Sequence, residues 1–310
     1  MNAVLIANPR SGRRGVKTWL DEAVGTLRQA GWAVVRWETQ GPGHATELAR
    51  RAAAEGYEAV IAAGGDGTLN EVLNGVVGTS TAVGILPVGT VNVWAREVGI
   101  PLPNWWERLR GATGVLLDGT IRAIDVGLAG ARYFILSAGV GLDAQVAQQA
   151  ADSPAWARAM QPLEFVPPAV ASALTFQGER LTITIDRTEV HREVLQVLIA
   201  NTSLYTGFVR IATEARLDDG LLDVCIFGGR GLPSTLRHGT QVLLGIHQAD
   251  PAFEYYQSRR IEVSSPTPWP VHVDAEPYGH TPMTFEVVPG GARMIVPRGV
   301  RSTVKHNETQ

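Results

Sequence analysis

The feature that most restricts what this chain can fold into is a change of rhythm near residue 122. Before it, short apolar stretches (Ala3–Ala7, Trp32–Trp37, Ala59–Ala63, Val83–Leu86) alternate with helix-spaced ones at 16–30, Thr46–Glu55 and Thr68–Val76. Strand–helix alternation with wholly apolar strands predicts an α/β domain whose parallel sheet is covered on both faces. After Asp125, stretches rich in β-branched and aromatic residues recur between Gly, Pro and Asp turns. They are Tyr133–Ser137, Leu181–Asp186, Val194–Ala200, Leu221–Phe227, Arg260–Val263, Pro270–Val273 and Thr284–Val288. Helical spacing returns only near 143–160 and 232–247, so the second half reads as a β-rich domain of antiparallel character. The expected boundaries are 1–122 and 123–294.

Lysine usage excludes one common phosphate-binding device. Two of the 27 basic side chains are lysines, Lys17 and Lys305, and both follow valine. A Walker-type loop needs Lys after Gly and before Ser or Thr, so none is present. The single cysteine, Cys225, excludes an intramolecular disulfide and thiolate metal sites. A formal charge of −3 gives no reason to expect nucleic acid as a partner. The uncharged stretches 72–95 and 165–178 are broken by Gly, Asn or Pro. No transmembrane segment or signal peptide is read, and a cytoplasmic chain is expected.

Three polar, glycine-containing loops follow strands of the first half. The most informative is Gly64-Gly65-Asp66-Gly67-Thr68-Leu69-Asn70, between an apolar strand and a helix. Glycines let the backbone approach a bulky anion, and the helix start adds aligned N–H groups. Asp66 fits beside phosphates if it reaches a metal ion or takes a proton from an attacking hydroxyl. The competing reading is a glycine turn with Asp66 as helix cap. The other loops are Asn8-Pro9-Arg10-Ser11-Gly12-Arg13-Arg14-Gly15 and Leu86-Pro87-Val88-Gly89-Thr90-Val91-Asn92. Three such loops, each after a strand, converge on the edge where open α/β sheets bind ligands.

Together NPRSG, AAGGDGTLNEVLNG and LPVGTVNVWARE resemble the diacylglycerol kinase catalytic-domain family, which includes bacterial diacylglycerol kinases and the sphingosine and long-chain-base kinases. The resemblance continues through Asp125-Val126-Gly127, Ser137 to Asp143, Tyr205-Thr206-Gly207, Ala215 to Val224 and Val273-Asp274-Ala275-Glu276. It implies an NAD-kinase-like α/β domain, a β-sandwich-type second domain and a C-terminal segment, 295–310, returning to the first. It also implies transfer of the ATP γ-phosphoryl group to a lipid hydroxyl, with Mg²⁺ offsetting charge. By the same resemblance Asn8, Ser11, Gly12, Thr39, Gly64, Gly65, Asp66, Gly67, Thr68, Leu69, Asn70 and Thr90 contact nucleotide. Glu276 is the implied proton acceptor, with Asp274 beside it and Asp66 in the catalytic set. Strand alternation would put Asp274 and Glu276 on one face. Asp125 matches an acid of the metal–water network. A second, structural metal is implied at Arg216, Asp219 and Leu221, through one carboxylate and two backbone carbonyls.

Two positions depart from the family pattern: Val93 stands where many relatives carry Asp, and Ala275 where they carry Gly. Trp94, Trp105 and Trp106, with residues 100–103, could line an acyl channel, rest at a bilayer or simply pack. The resulting expectation is a lipid kinase acting peripherally at the inner membrane face on a diacylglycerol-like or long-chain-base hydroxyl, with a homodimer as one assembly. A kinase of a soluble alcohol and a nucleotide-binding regulator with weakened catalysis are the competing functions.

Overall fold

The computed structural model describes residues 1–9, 11, 16–152 and 166–300. Their contacts divide the chain into two compact units. The first comprises Met1–Val126, the short segment Leu217–Asp219 and the chain from Pro289; the second comprises Gly127–Arg216 and Gly220–Val288. Residues 301–310, part of the expected return segment, lie outside the described residues.

The first unit opens with β1 (Asn2–Ala7), α1 (Val16–Gln29), β2 (Ala33–Glu38), α2 (His44–Ala54) and β3 (Ala59–Gly64). It continues with α3 (Asp66–Val76), β4 (Ala82–Pro87), α4 (Val93–Glu97) and α5 (Trp105–Asp118). The strands run parallel in the order β2-β1-β3-β4. Every residue of β3 and β4 is buried, as sheet strands covered on both faces must be. The helices bury the stripe their spacing dictates: Val16, Leu20, Val24 and Leu27 on α1, and Ala45, Ala49 and Ala52 on α2. The connection from β1 through α1 runs to one side of β1, and the connection from β2 through α2 crosses back to β3 on the other. With right-handed crossovers this sends α1 and α2 to opposite faces and creates a topological switch point between β1 and β3.

The chain passes into the second unit along β5 (Thr120–Ala129) and leaves it along β17 (Met283–Val296). The C-terminal end of β17 adds in parallel to β4, through Arg293 opposite Ala82. Between them lie β6 (Arg132–Phe134), β7 (Ser137–Gly141), α6 (Leu142–Ala151), α7 (Val166–Thr175), β8 (Glu179–Ile185), β9 (Thr188–Ala200), β10 (Leu204–Tyr205) and β11 (Val209–Arg210). They are followed by β12 (Leu222–Gly228), α8 (Gly231–Leu244), β13 (Phe253–Ser258), β14 (Arg260–Ser264), β15 (Pro270–Val273) and β16 (Glu276–His280). Antiparallel pairing runs β16-β15-β7-β9-β8-β14-β17, and β12 joins β9 to β13. Alternate residues of β9 serve two cores. Val197 and Ile199 pack with Phe134, Ile226 and Phe285, whereas Leu198 packs with Cys225 and Phe253.

Three sequence expectations fail here. The helical spacing near 143–160 and 232–247 does not include α7, Val166–Thr175. Tyr133–Ser137 is not one strand, because Ile135 and Leu136 interrupt it between β6 and β7. Asp274 and Glu276 do not share an extended face either. Val273 pairs with Glu276 across a two-residue hairpin turn whose members, Asp274 and Ala275, have φ of 48° and 66°.

Candidate active site

At the switch point the loops after β1, β3 and β4 are tied together by backbone. Asn8 N–H donates to the Ala63 carbonyl at 3.1 Å, and Thr39 N–H to Ala7 at 2.9 Å. The Gly64 carbonyl accepts from both Val88 (3.0 Å) and Gly89 (3.2 Å). Asn8 Nδ2 donates to Thr68 Oγ1 at 3.4 Å, joining the loops on the two sides of the switch. Close contact, and not backbone conformation, requires glycine at 64 and 89. A Cβ on Gly89 would stand 2.5 Å from the Gly65 Cα, and one on Gly64 would stand 2.3 Å from Thr68 Oγ1. The N–H groups of the first turn of α3, at Gly67 and Thr68, have no intrahelical acceptors by helix geometry and are available to an anion.

Asp66 does not cap its own helix, as the competing reading had it: it is the first residue of α3, whose N-cap is Gly65. Its carboxylate accepts from Val93 N–H at 2.9 Å and Trp94 N–H at 3.1 Å, capping α4 from the neighbouring loop. Burial pushes this carboxyl up from the ordinary range, while the two N–H bonds and the positive field of Arg96 pull it back. Other members of the same stretch are architectural. Glu71 accepts from Gly43 N–H (2.9 Å) and Ala45 N–H (3.0 Å), which fixes the start of α2. Asn70 is buried and accepts from Asn74 Nδ2. Leu69 is buried in the core, and Thr90 is exposed. Ser11 N–H closes its loop onto Asn8 O at 3.0 Å. Gly12, with the neighbouring arginines 10, 13 and 14, lies outside the described residues.

Two arginines missing from the sequence-based set bracket the third loop. Arg96 Nε donates to Val91 O at 2.9 Å, and Arg108 Nη1 to Gly89 O at 3.1 Å. Burial and the repulsion of Arg96 lower the Arg108 guanidinium from its ordinary value. Only their proximity to that loop distinguishes them from the other arginines, and spacing does not encode it.

Asp125 is buried on β5, its Oδ1 accepting from Gly290 N–H at 2.8 Å and its N–H donating to Leu217 O at 2.7 Å. It thus anchors the segment 217–219, in which Asp218 pairs with Arg122. Asp219, Arg216 and Leu221 lie in the irregular stretch that leads into β12. Among the described residues no cluster of three or more His, Cys, Asp or Glu could hold a metal. The set implied by the resemblance, Asp219 with the carbonyls of Arg216 and Leu221, holds a single carboxylate and is not such a cluster.

In the second unit the two acids of the closing motif separate in role. Asp274 is buried, and its carboxylate accepts three backbone N–H groups, from Ile135 (3.1 Å), Leu136 (3.0 Å) and Ser137 (3.0 Å). Those bonds replace the ladder that would have continued β6 into β7. Glu276, 46% exposed, opens β16 and meets Arg132 through Oε2. Arg132 also lies 5.8 Å from the centroid of the Tyr278 ring. Beneath the turn, Ala275 N–H donates to His272 Nδ1 at 3.3 Å, which assigns the proton to Nε2, 3.0 Å from Asp143 Oδ2. Gly139 makes room for this buried pair, since a Cβ there would stand 2.4 Å from His272 Nε2.

Comparisons with known proteins agree with this architecture. Residues 2–129 match the model of the diacylglycerol kinase catalytic domain. Residues 136–296 match that of the YegS C-terminal NAD kinase beta sandwich-like domain. The chain is 30% identical over 299 residues to the diacylglycerol kinase of Bacillus subtilis (strain 168), covering 96% of each. It is 32% identical over 286 residues to that of Staphylococcus aureus (strain bovine RF122 / ET3-1), covering 91% of this chain and 88% of the relative. A crystal structure of a diacylglycerol kinase from Bacillus anthracis str. Sterne matches with a TM-score of 0.73 and 20% identity, covering 97% and 98%. An α/β domain with a parallel sheet joined to a β-sandwich-like domain defines the class of fold. Within that class the chain belongs to the diacylglycerol kinase family.

Proposed function

We propose that this chain is an ATP- and Mg²⁺-dependent lipid kinase that transfers the γ-phosphoryl group to a hydroxyl of a diacylglycerol-like or long-chain-base lipid. The observation that carries the proposal is the bonding of the Asn8, Gly64–Thr68 and Gly89 loops into one backbone cradle at the switch point. In this reading the first-turn N–H groups of α3 hold phosphate in place of a lysine, and Asn8 and Thr68 orient it. Asp66 fixes the third loop through α4. Glu276, whose Oε2 is held by Arg132, accepts the proton of the acceptor hydroxyl at Oε1. Mg²⁺ bound with the nucleotide would offset charge on the transferring phosphate. A further Mg²⁺ at Arg216 O, Asp219 and Leu221 O would brace the segment that Asp125 anchors. Localisation at the inner face of the membrane, reached from the cytoplasm, follows from such a substrate.

The test is transfer of label from γ-³²P-ATP to dioleoylglycerol or sphingosine in mixed micelles with Mg²⁺. Labelled lipid supports the reading, whereas ATP binding with no labelled product across a lipid panel contradicts it. One feature favours a regulator with weakened catalysis: buried Val93 begins α4 at the position where the family resemblance leads one to expect Asp. Restored or raised turnover in Val93→Asp would show that the missing acid limits the rate; tight nucleotide binding with no turnover in either protein favours the regulator.

A further inference from the structure

The turn that presents Glu276 is not held by its own residue types. A two-residue hairpin with both central residues left-handed favours Asn-Gly, because glycine takes positive φ without strain. Here the pair is Asp274 and Ala275, at φ of 48° and 66°. Its shape is fixed from outside. Asp274 docks the first half of the turn on the N–H groups of Ile135, Leu136 and Ser137. The second half, next to Glu276, is held by the bond from Ala275 N–H to His272 Nδ1, 3.3 Å long.

His272 is prepared for that bond. A ring nitrogen accepts only when it carries no proton, and what the other nitrogen meets decides which one that is. Asp143, buried at the start of α6, takes Nε2 at 3.0 Å through Oδ2. A carboxylate accepts and does not donate, so it keeps the proton on Nε2 and leaves Nδ1 open to Ala275. The other tautomer would set Nδ1–H against Ala275 N–H, donor against donor. Asp143 is fixed in its turn: Oδ1 accepts from Ala144 N–H at 2.8 Å, and the Tyr205 phenol hydrogen-bonds to the same carboxylate. Asp143 closes the segment Ser137–Asp143 and Tyr205 opens Tyr205-Thr206-Gly207. Two segments far apart in the chain thus converge, through one buried imidazole, on the turn before Glu276.

We propose that His272, set by Asp143, is a positioning residue for Glu276: it holds the second half of the turn, while Arg132 holds Oε2, so that Oε1 stands ready for the acceptor proton. The inference rests on the lipid-kinase reading, with Glu276 as the base. Two substitutions separate positioning from plain structure. Asn puts an amide oxygen near the place of Nδ1, so His272→Asn keeps an acceptor for Ala275 N–H and gives up the Asp143 contact. Gln reaches the place of Nε2, so His272→Gln keeps the Asp143 contact and gives up the acceptor. The experiment measures kcat and the KM for ATP of wild type and both variants on dioleoylglycerol micelles. Melting and hydrogen exchange of the Ala275 amide are followed on the same samples. His272→Gln should lower kcat about tenfold or more with the KM for ATP unchanged, and should speed exchange at Ala275. His272→Asn should recover most of kcat and of the amide protection, although it melts lower because the buried Asp143 loses its ring partner. Activity and stability then run in opposite orders, which a merely structural role does not produce. Loss of kcat that follows the loss of stability, wild-type kcat in His272→Gln, or equal Ala275 exchange in all three proteins overturns the proposal. If wild type phosphorylates no lipid, the kinase reading fails and this role with it; lipid phosphorylation indifferent to His272→Gln rejects this role alone.

Discussion

The two acid-bearing loops, Gly64–Asn70 in the first unit and Val273–Glu276 in the second, have the same economy and opposite outcomes. In each, an aspartate is taken up by backbone N–H groups: Asp66 by the start of α4, Asp274 by the stretch Ile135–Ser137. In the first loop this leaves a backbone surface of donors suited to anions. In the second it leaves a carboxylate, Glu276, beside an arginine. The comparison teaches that both aspartates hold the shape of their loops, so that under the proposed function one loop would recognise and the other react.

That division is broken most severely at Glu276. Replacing it with Gln should lower phosphoryl transfer by roughly 10²–10⁴-fold, the usual range for a lost general base, with no change in melting. Asp274→Ala should do the reverse. It orphans three buried N–H groups and should cost about 3 kcal/mol or more in denaturant unfolding, with any activity loss tracking the folded fraction. Gly89→Ala tests the recognition loop. Its Cβ would meet the Gly65 Cα, and overpacking of about 1–3 kcal/mol should appear as weaker ATP binding in calorimetry. The smallest effect is favourable. Ala275 holds φ 66° in a turn that prefers Gly, so Ala275→Gly should stabilise the protein by about 1 kcal/mol in the same unfolding measurement.

How far the sequence could be read follows from what periodicity encodes. The strands β1, β3 and β4 and the helices between them were readable because burial on two faces and on one stripe leaves distinct patterns. The glycine loops were readable because three of them follow strands. The break at Ile135–Leu136 was not, since its cause is a carboxylate 138 residues further along the chain. The hairpin at Asp274–Ala275 was hidden because Ala gives no turn signal where Gly would have. Neither the phosphate-binding nor the turn-and-cap reading of the run Gly64–Gly75 reached the roles of Glu71, which fixes the start of α2, and Gly75, which admits it: a Cβ on Gly75 would stand 2.6 Å from Thr46 O. Arg96, Arg108 and the His272–Asp143 pair depend on tertiary proximity, to which local pattern is blind.

The most direct test of this division of labour is single-turnover transfer of γ-³²P from ATP to lipid by Glu276→Gln, with ATP affinity measured on the same sample. The account predicts unchanged ATP affinity and transfer slowed by at least two orders of magnitude. Transfer at the wild-type rate would contradict it.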